Sequence, residues 1–458
     1  MHVIFAIALL AIRNAVRSKI VLILLVALIA AITLIPLTVR GDGTLSGLFQ
    51  IVLSYTLGFS AFILTLNALW AGNASVASEI SDKTMQLVVT KPVSRWQVWM
   101  GKWLGLTVMN AALWAVCGAV TFGMLHAHLH LSRLTDPAHA QEAQRLLTAR
   151  ETRLAASPDF ATLAQQRLEQ EVSRAPLPEG VTPGQRLMEI EQRMRIDALT
   201  VNPGGSRRWE FPKVTAAELA EPFTLRYRFA SSILGQGLVR GRWLIGTPGR
   251  TDLLDVTRDS VPRALNEIVF RLDQRWENQP LVITYVDMDS EGASILFDVD
   301  GGIALLVPRG GFTANFIRGW LIMFGRLAFF TALGVTAGCL FSLPVATVVS
   351  LFLMTMVQMG GYIQDVAQTP ILLPGHAASP EEAMSLAAIL VTLIFKGMAF
   401  LVSPLVQESI LTHLAGGKLV DNLAVVRGLL IQGLIFSLLM SGMAAYAMNR
   451  RQLALPAS

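Results

Sequence analysis

The sequence is poor in charged residues and in cysteine. Only 15% of the 458 residues are charged, against roughly 25% in an average soluble domain. Apolar residues make up 53% of the chain and the mean hydropathy is +0.52. This composition excludes a purely soluble protein and an intrinsically disordered one. The two cysteines, Cys117 and Cys339, both lie in apolar runs, which excludes a disulfide framework and cysteine-based metal clusters.

The chain also lacks a nucleotide-binding loop and a catalytic constellation. The GGK run at 416–418 has Thr412 where the first glycine of a GxxxxGK loop should stand. His126, His128 and His130 are grouped, but no cysteine is near them, so a metal site competes with a polar cap at a membrane boundary. The sequence therefore predicts no catalytic residues, no metal ligands and no cofactor-binding residues in this chain.

The charges are concentrated in one part of the chain. Residues 128–315 hold 22 Lys+Arg and 24 Asp+Glu, whereas the remaining 270 residues hold 15 Lys+Arg and 8 Asp+Glu. The excess of basic residues thus belongs to the apolar part and indicates membrane topology rather than nucleic-acid binding. The pattern predicts three domains: a membrane part over 1–127, a polar domain over 128–315 and a second membrane part over 316–458.

Six apolar runs are long enough to cross a bilayer, which needs about 20 residues. They are 21–39, 47–70, 103–126, 319–341, 344–362 and 424–447. Basic residues before the first run, between the second and third, and after the last share one side if the chain crosses six times. The sequence thus predicts six transmembrane helices, both termini in the cytoplasm, and an extracytoplasmic 128–315 domain in a bacterial inner membrane.

Two apolar segments leave alternatives open. The run 384–404 contains Lys396 near its middle, so we interpret it as re-entrant or interfacial rather than spanning. The first 19 residues are apolar, with Arg13 and Arg17 four residues apart. They form either an interfacial helix facing lipid head groups or a cytoplasmic extension of the first span.

The polar domain has two patterns. Residues 137–200 are predicted to be helical, because Leu147, Leu154, Ala161 and Leu168 recur every seven residues. From about residue 221, six short runs with strand character are separated by Gly, Asp and Pro. We therefore expect an inserted α+β domain with a helical hairpin and a β-sandwich of jelly-roll type. Its near-neutral charge and lack of cysteine predict that residues 131–312 fold alone without oxidant.

The segment 78–105 carries the clearest functional signal. Val76, Ile80 and Leu87 share a helical face, Pro92 breaks the pattern, and Ser94 is placed to cap a helix that continues into the third span. The pattern predicts a short amphipathic helix, a turn and a rigid connection to a span. Such a segment could transmit force from a soluble partner, and an ordinary charged loop is the competing interpretation.

This segment resembles the E-x-x-x-x-T … P-V-S-R … G-K signature of type-2 ABC exporter permeases. The matching residues are Glu79, Thr84, Lys91, Pro92, Val93, Ser94, Arg95, Gly101 and Lys102, whereas Lys83 stands where many members have glycine. RNAVRSK (13–19), FTANFIRGW (312–320), FLVSPLVQESI (400–410) and NRRQLALP (449–456) are also similar to segments of that family.

The resemblance implies a membrane-spanning permease that forms the translocation path of an exporter. It implies a second permease, in a homodimer or heterodimer, and a separate ATPase subunit that binds ATP and Mg. It also implies that the coupling surface extends from Glu79 to Arg95. A membrane-anchored sensor or scaffold, whose outer domain binds a partner, is the alternative.

Three further residues are candidates inside the membrane. Gly334 and Gly338 form a GxxxG pattern in the fourth span, which favours a close helix contact, although small residues facing lipid would have the same pattern. Arg326 lies in the same span, where an intramembrane arginine is either functional or extends toward the surface.

Overall fold

The computed structural model describes residues 2–38, 45–84, 93–135, 146–156, 158–175, 177, 183–233, 237–247, 253–288, 293–298, 302–363, 393–399 and 410–450. The chain divides into two compact units. The helical unit comprises Met1–Thr148 and Gly311–Ser458, and the β-rich unit comprises Ala149–Gly310. This boundary is narrower than the predicted 128–315, because the third long helix continues to Thr135 and the next one begins at Phe312.

The described residues of the first half of the helical unit form five α-helices. They are α1 (His2–Arg17), α2 (Lys19–Thr38), α3 (Leu45–Ile51), α4 (Gly58–Ser81) and α5 (Arg95–Thr135). A π-helical turn, Val52–Leu57, joins α3 to α4, so the backbone is helical without a break from Leu45 to Ser81. Helices α1 and α2 meet at a bend of 72°.

Helices of the second half follow the β-rich unit in the chain. They are α8 (Phe312–Leu340), α9 (Leu343–Gln358), α10 (Ile410–Ala415), α11 (Asn422–Val426) and α12 (Ser437–Arg450). A π-helical segment, Arg427–Phe436, makes α11 and α12 continuous. Residues 393–399 are also helical.

Four helices of the described part are long and apolar enough to cross a membrane, or five if the bent pair α1–α2 forms one span. The four are Phe49–Ser81, Arg95–His130, Phe312–Leu340 and Asn422–Arg450. Helix α9 has 16 residues, fewer than the about 20 that a bilayer requires. The chain is therefore a multi-pass membrane protein, and the count of six spans stays a prediction. Most of 384–404 lies outside the described residues.

Helix α8 is the centre of the helical unit. It packs along α4, α5, the Arg427–Phe436 segment and α12. Every residue of α8 from Leu327 to Cys339 is buried, and Phe330 and Val335 are at most 1% exposed. By contrast, α2 exposes Ile23, Val26 and Ile29. A helix that is apolar on every side and exposed on one of them is typical of a lipid-facing span.

The β-rich unit contains β1 (Thr148–Leu154) and two helices, α6 (Phe160–Arg174) and α7 (Pro183–Leu199), which pack on each other. The prediction of helix throughout 137–200 is wrong over β1. Thr148 and Thr152 favour an extended backbone, and β1 pairs with a distant strand, so Leu147 and Leu154 do not share a helix with Ala161.

Ten further strands follow α7. They are β2 (Thr200–Val201), β3 (Ser206–Lys213), β4 (Phe223–Tyr227), β5 (Phe229–Ser231), β6 (Val239–Gly246), β7 (Leu254–Ser260), β8 (Asn266–Phe270), β9 (Pro280–Asp287), β10 (Ile295–Phe297) and β11 (Ile303–Gly311). The sheets have the orders β1-β11-β4-β8, β2-β10-β5 and β3-β9-β6-β7. Trp209 lies opposite Ile283 and Trp243 opposite Tyr285 in the antiparallel register of the third sheet.

All three sheets contribute side chains to one core. Trp243, which is 0% exposed, lies 4.5 Å from the Tyr227 ring and 4.8 Å from the Tyr285 ring, measured between centroids. The six predicted strand runs coincide with strands β4 to β6 and β8 to β11. The β-rich character of this unit is therefore confirmed, whereas the jelly-roll topology stays a prediction.

Strand β7 was not predicted, because Arg242–Asp255 and Arg240–Asp259 pairs across β6 and β7 replace the apolar alternation.

One buried carboxylate joins three elements of the β-rich unit. Glu218 is 2% exposed; it accepts hydrogen bonds from the Thr215 amide at 2.9 Å and from Arg153 of β1 at 2.6 Å, and Arg309 of β11 lies 3.4 Å away. Burial acts to raise the pKa of Glu218, but the Thr215 amide and the Arg153 and Arg309 charges outweigh it and hold this pKa below its ordinary value.

Because its folded-state pKa is lowered, Glu218 stabilises the unit at neutral pH and the stabilisation is lost as the pH falls below the ordinary value of 4.5. We expect Glu218→Gln to lower the free energy of unfolding at pH 7 by about 3 kcal/mol, since two arginines lose a buried partner. The variant should lose less stability than wild type between pH 5 and pH 3 (about the range of carboxyl titration). Urea unfolding of residues 131–312 at several pH values measures the loss of stability at pH 7 and its pH dependence. Glu277→Gln, at an exposed position, is the control. Parallel stability–pH profiles of wild type and Glu218→Gln would show that Glu218 does not contribute this pH dependence.

Candidate functional site

The site is built around the end of α4 and the start of α5. Helix α4 is continuous from Gly58 to Ser81 and ends in a turn at Asp82–Thr84, with Lys83 at φ 59°. The predicted separate amphipathic helix is therefore wrong on its N-terminal side, because Val76 and Ile80 belong to the spanning helix itself and pack into its core. Thr84 donates its hydroxyl to the Glu79 carbonyl at 3.3 Å.

Helix α5 begins with a reciprocal cap. The Gln97 amide donates to the Ser94 hydroxyl at 3.4 Å, and the Ser94 amide donates to the Gln97 side-chain oxygen at 3.1 Å. This pair satisfies two backbone donors at the helix start. Ser94 is exposed and Arg95 is half-buried, and the Nη1 atom of Arg95 is buried with no hydrogen-bond partner in the part of the chain that the structure describes. Lys91 and Pro92 lie outside the described residues.

A buried ion pair joins the two helices. The Lys102 ammonium on α5 lies 2.7 Å from a carboxylate oxygen of Glu79 on α4, and it also donates to the Ser75 carbonyl. The Lys102 side chain is 5% exposed and that of Glu79 is 20% exposed. Charges removed from water need a close opposite charge and hydrogen bonds. The pair therefore fixes the end of one spanning helix to the first turns of the next.

Helix α1 closes this site from a third side. A Cβ atom at Gly101 would lie 2.7 Å from Ile7, and one at Gly105 would lie 2.4 Å from the Ala8 carbonyl oxygen. Both glycines thus allow the backbones of α1 and α5 to approach closely. A cavity of about 240 Å³ remains between α1, α2, α4 and α5, and Glu79 and Lys102 form part of its wall.

The Gly334 and Gly338 pattern lies against α4. A Cβ atom at Gly334 would lie 2.8 Å from the Leu69 carbonyl oxygen, and one at Gly338 would lie 2.6 Å from the Asn73 carbonyl oxygen. Gly72 faces them, because its own Cβ would lie 2.8 Å from the Val335 amide. The small residues of both helices therefore form one contact in which backbone touches backbone.

Buried polar side chains cross-link the same helices. Asn67 of α4 donates to Asn110 of α5 at 2.9 Å, and Asn110 donates to Thr331 of α8 at 3.4 Å. The Trp114 and Trp320 indoles each donate to the other residue's carbonyl at 3.1 Å. These bonds specify which faces of α4, α5 and α8 meet, because an unpaired polar group inside an apolar bundle is unfavourable.

The three histidines lie on α5. Because successive residues of a helix are about 100° apart, His126, His128 and His130 do not share one face. The His126 ring packs on Phe122, 4.2 Å between centroids. Within the described ranges, no three His, Cys, Asp or Glu side chains are grouped to hold a metal.

The residues at the junction of α4 and α5 fall within one region of known sequence similarity. Residues 5–151 match the family model described as ABC-2 family transporter protein. This match extends from α1 to β1 and includes the Glu79–Lys102 pair. The resemblance to ABC-2 permeases is thereby confirmed over the first third of the chain. The searches of curated proteins and of solved structures returned no match.

The ABC-2 match supports a membrane permease of an ABC transporter, and it implies association with an ABC ATPase subunit. Sequence reasoning selected both Glu79 and Lys102 but did not pair them. A signal was available, since a lysine at the start of an apolar run needs a counter-charge and carboxylates are scarce outside 128–315. This signal could not identify Glu79 as the partner of Lys102, because a contact between residues 23 positions apart depends on the tertiary structure.

Proposed function

We propose that this chain is the membrane-spanning permease subunit of an ABC exporter and that it couples to a separate ATPase through the segment from Glu79 to Arg95. The observation that carries the proposal is the ABC-2 match over residues 5–151, which contains that segment. ATP and Mg would be bound by the ATPase, and a second permease, identical or different, would complete the translocation path.

The geometry of the described residues supports coupling through this segment. The ends of α4 and α5 are fixed to each other by the Glu79–Lys102 pair, and α4 and α5 are in turn cross-linked to α8 through Asn110. A displacement of the chain between Thr84 and Ser94 would therefore move these helices together rather than one at a time. Arg95 begins α5, and its half-buried guanidinium forms no ion pair among the described residues, which leaves its charge available to a partner's carboxylate.

The test is recovery of the cognate ATPase with Arg95→Ala. An interfacial charge that loses its partner costs a few kcal/mol, so we expect at least about tenfold weaker association, equivalent to 1.4 kcal/mol. Arg450→Ala is the matched control, because Arg450 is an exposed basic residue at the end of the last helix, on the side predicted to be cytoplasmic. Its guanidinium carbon lies 4.7 Å from the Tyr446 ring centroid. Equal recovery and equal stimulated hydrolysis in wild type and both variants would favour the sensor interpretation.

The proposal includes six spans in a bacterial inner membrane, with the β-rich unit extracytoplasmic. The basic residues Arg13, Arg17, Lys102 and Arg450 support one shared cytoplasmic side. We expect a reporter fused after Ser458 to be cytoplasmic and one inserted near residue 205 to be extracytoplasmic. A reporter after Ser458 that is found outside would show an odd number of crossings, either because 384–404 crosses the membrane or because α9 does not.

A further inference from the structure

An arginine lies at the middle of the central helix of the helical unit. Arg326 is 14 residues from each end of α8, Phe312–Leu340, which places it about 21 Å along the helix axis from either end. That distance is several times the length of an arginine side chain, so its head group does not reach a helix end. A cation at this depth of a spanning helix needs a polar partner.

The partners that the described residues supply to Arg326 are neutral. Its Nη2 atom donates to the Gln358 side-chain oxygen of α9 at 2.7 Å, and its guanidinium lies 5.9 Å from the Phe330 ring centroid. The Nε atom is buried and has no hydrogen-bond partner among the described residues. These contacts orient the guanidinium, and no described residue compensates its charge.

A cavity of about 160 Å³ adjoins the guanidinium. Seven of its ten lining residues are apolar and come from α4, α5, α8 and α10, including Phe62, Trp114 and Leu411. Its polar surface comes from Thr65 of α4, Gln358 of α9 and Arg326 itself. The described part of the helical unit contains three carboxylates, Glu79, Asp82 and Asp421, and none of them lines this cavity. Among the described residues, the cavity thus combines a cation that has no counter-charge with apolar side chains such as Phe62, Trp114 and Leu411.

We propose that Arg326 binds the anionic head of an amphipathic ligand, a phosphate or a carboxylate, whose apolar part lies along the walls of this cavity. A guanidinium forms its strongest hydrogen bonds with such oxyanions, and the Nε and Nη donors suit a bidentate contact. The ligand is either a bilayer lipid or the transported molecule, and only the second source rests on the proposed function. The substrate class is then an amphipathic anion.

The binding test uses the full chain in nanodiscs of phosphatidylcholine, without an ATPase. We expect saturable binding of dioctanoyl phosphatidylglycerol, much weaker binding of dioctanoyl phosphatidylcholine, and weak binding of inorganic phosphate. Arg326→Gln should weaken phosphatidylglycerol binding at least tenfold, whereas Arg326→Lys should weaken it less, because lysine keeps the charge but loses the bidentate contact. Arg318→Gln, two turns away on α8, is the control for the same change in net charge. Reaction of the buried Cys117 and Cys339 with a thiol dye on heating shows that each variant is folded.

Three results would overturn the proposal. Equal phosphatidylglycerol affinity in wild type and Arg326→Gln would remove Arg326 from the site. Inorganic phosphate that binds as tightly as the lipid would exclude an amphipathic ligand. Asp365 and Glu408 are carboxylates that lie outside the described residues. Binding that arises only after Glu408→Gln or Asp365→Asn would show that one of them already neutralises Arg326.

Two further measurements distinguish the ligand's source. Anionic lipid that co-purifies with wild type but not with Arg326→Gln identifies a bilayer lipid. ATP-driven loss of the probe from vesicles containing the cognate ATPase identifies a transported ligand. A failure of ATPase association would contradict the proposed function alone, because the binding test contains no ATPase.

Discussion

Glu79→Gln is expected to lower the free energy of unfolding of the helical unit by about 3 kcal/mol, because it leaves the Lys102 ammonium buried without a counter-charge. Lys102→Met should cost less, about 1–2 kcal/mol, since the Glu79 carboxylate that remains is 20% exposed and can be hydrated. The asymmetry follows from the different exposure of the two partners rather than from the strength of the pair.

The double variant Glu79→Gln/Lys102→Met is the decisive comparison. It removes both charges, so its stability should lie closer to wild type than that of Glu79→Gln. Cys117 and Cys339 are the only cysteines in the sequence, and both are buried in the helical unit. Their reaction with a thiol dye on heating therefore reports unfolding of that unit. Additive losses in the double variant would show that the two residues do not interact.

The position of Glu79 inside the helical unit affects the choice of variant for a coupling test. Glu79 was expected to belong to an exposed surface, but it is engaged inside the helical unit. A loss of ATPase association in a Glu79 variant would mix a folding effect with an interface effect. Arg95 is the better probe, because it has no ion pair among the described residues, whereas the double variant tests whether the fixed α4–α5 geometry itself is needed for coupling.

Gly338→Ala is expected to destabilise the same unit by about 1–3 kcal/mol, the usual range for overpacking. The new methyl group would lie 2.6 Å from the Asn73 carbonyl oxygen and 3.2 Å from the Asn73 Cα atom. Backbone atoms of a helix cannot move aside as a flexible side chain can, so α4 and α8 must separate. The Asn73 side chain also accepts from Ser350 of α9 at 3.3 Å, and that bond would be strained.

Gly123→Ala is the matched control for this change. Gly123 is also helical, but nothing lies within 4 Å of a Cβ atom built there. Alanine favours a helix by up to about 1 kcal/mol over glycine, so this variant should be as stable as wild type or slightly more stable. The thiol-dye assay measures both variants. Equal stability of Gly338→Ala and wild type would contradict the close α4–α8 contact.

The broad organisation of this protein followed from the sequence because it depends on composition over long windows. Apolar runs of about 20 residues indicate membrane helices, and the concentration of charge between them indicates an inserted polar domain. Strands β4 and β6 were predictable from their apolar alternation. Strand β9 was predictable from its β-branched residues, and it buries three consecutive residues, Leu281 to Ile283. The ABC-2 resemblance was visible because its main signature, from Glu79 to Lys102, lies within one short segment.

Contacts between distant segments were decided by the tertiary structure. The heptad spacing of Leu147 and Leu154 resembles that of a helix, but β1 is a strand because it can pair with β11. Glu79 and Lys102 were both selected from the sequence, yet only the packing of α4 on α5 shows that they neutralise each other. The same packing leaves Arg326 with a neutral partner from α9. Local periodicity specifies which face of an element is apolar, whereas the partner of a buried charge depends on which helices meet.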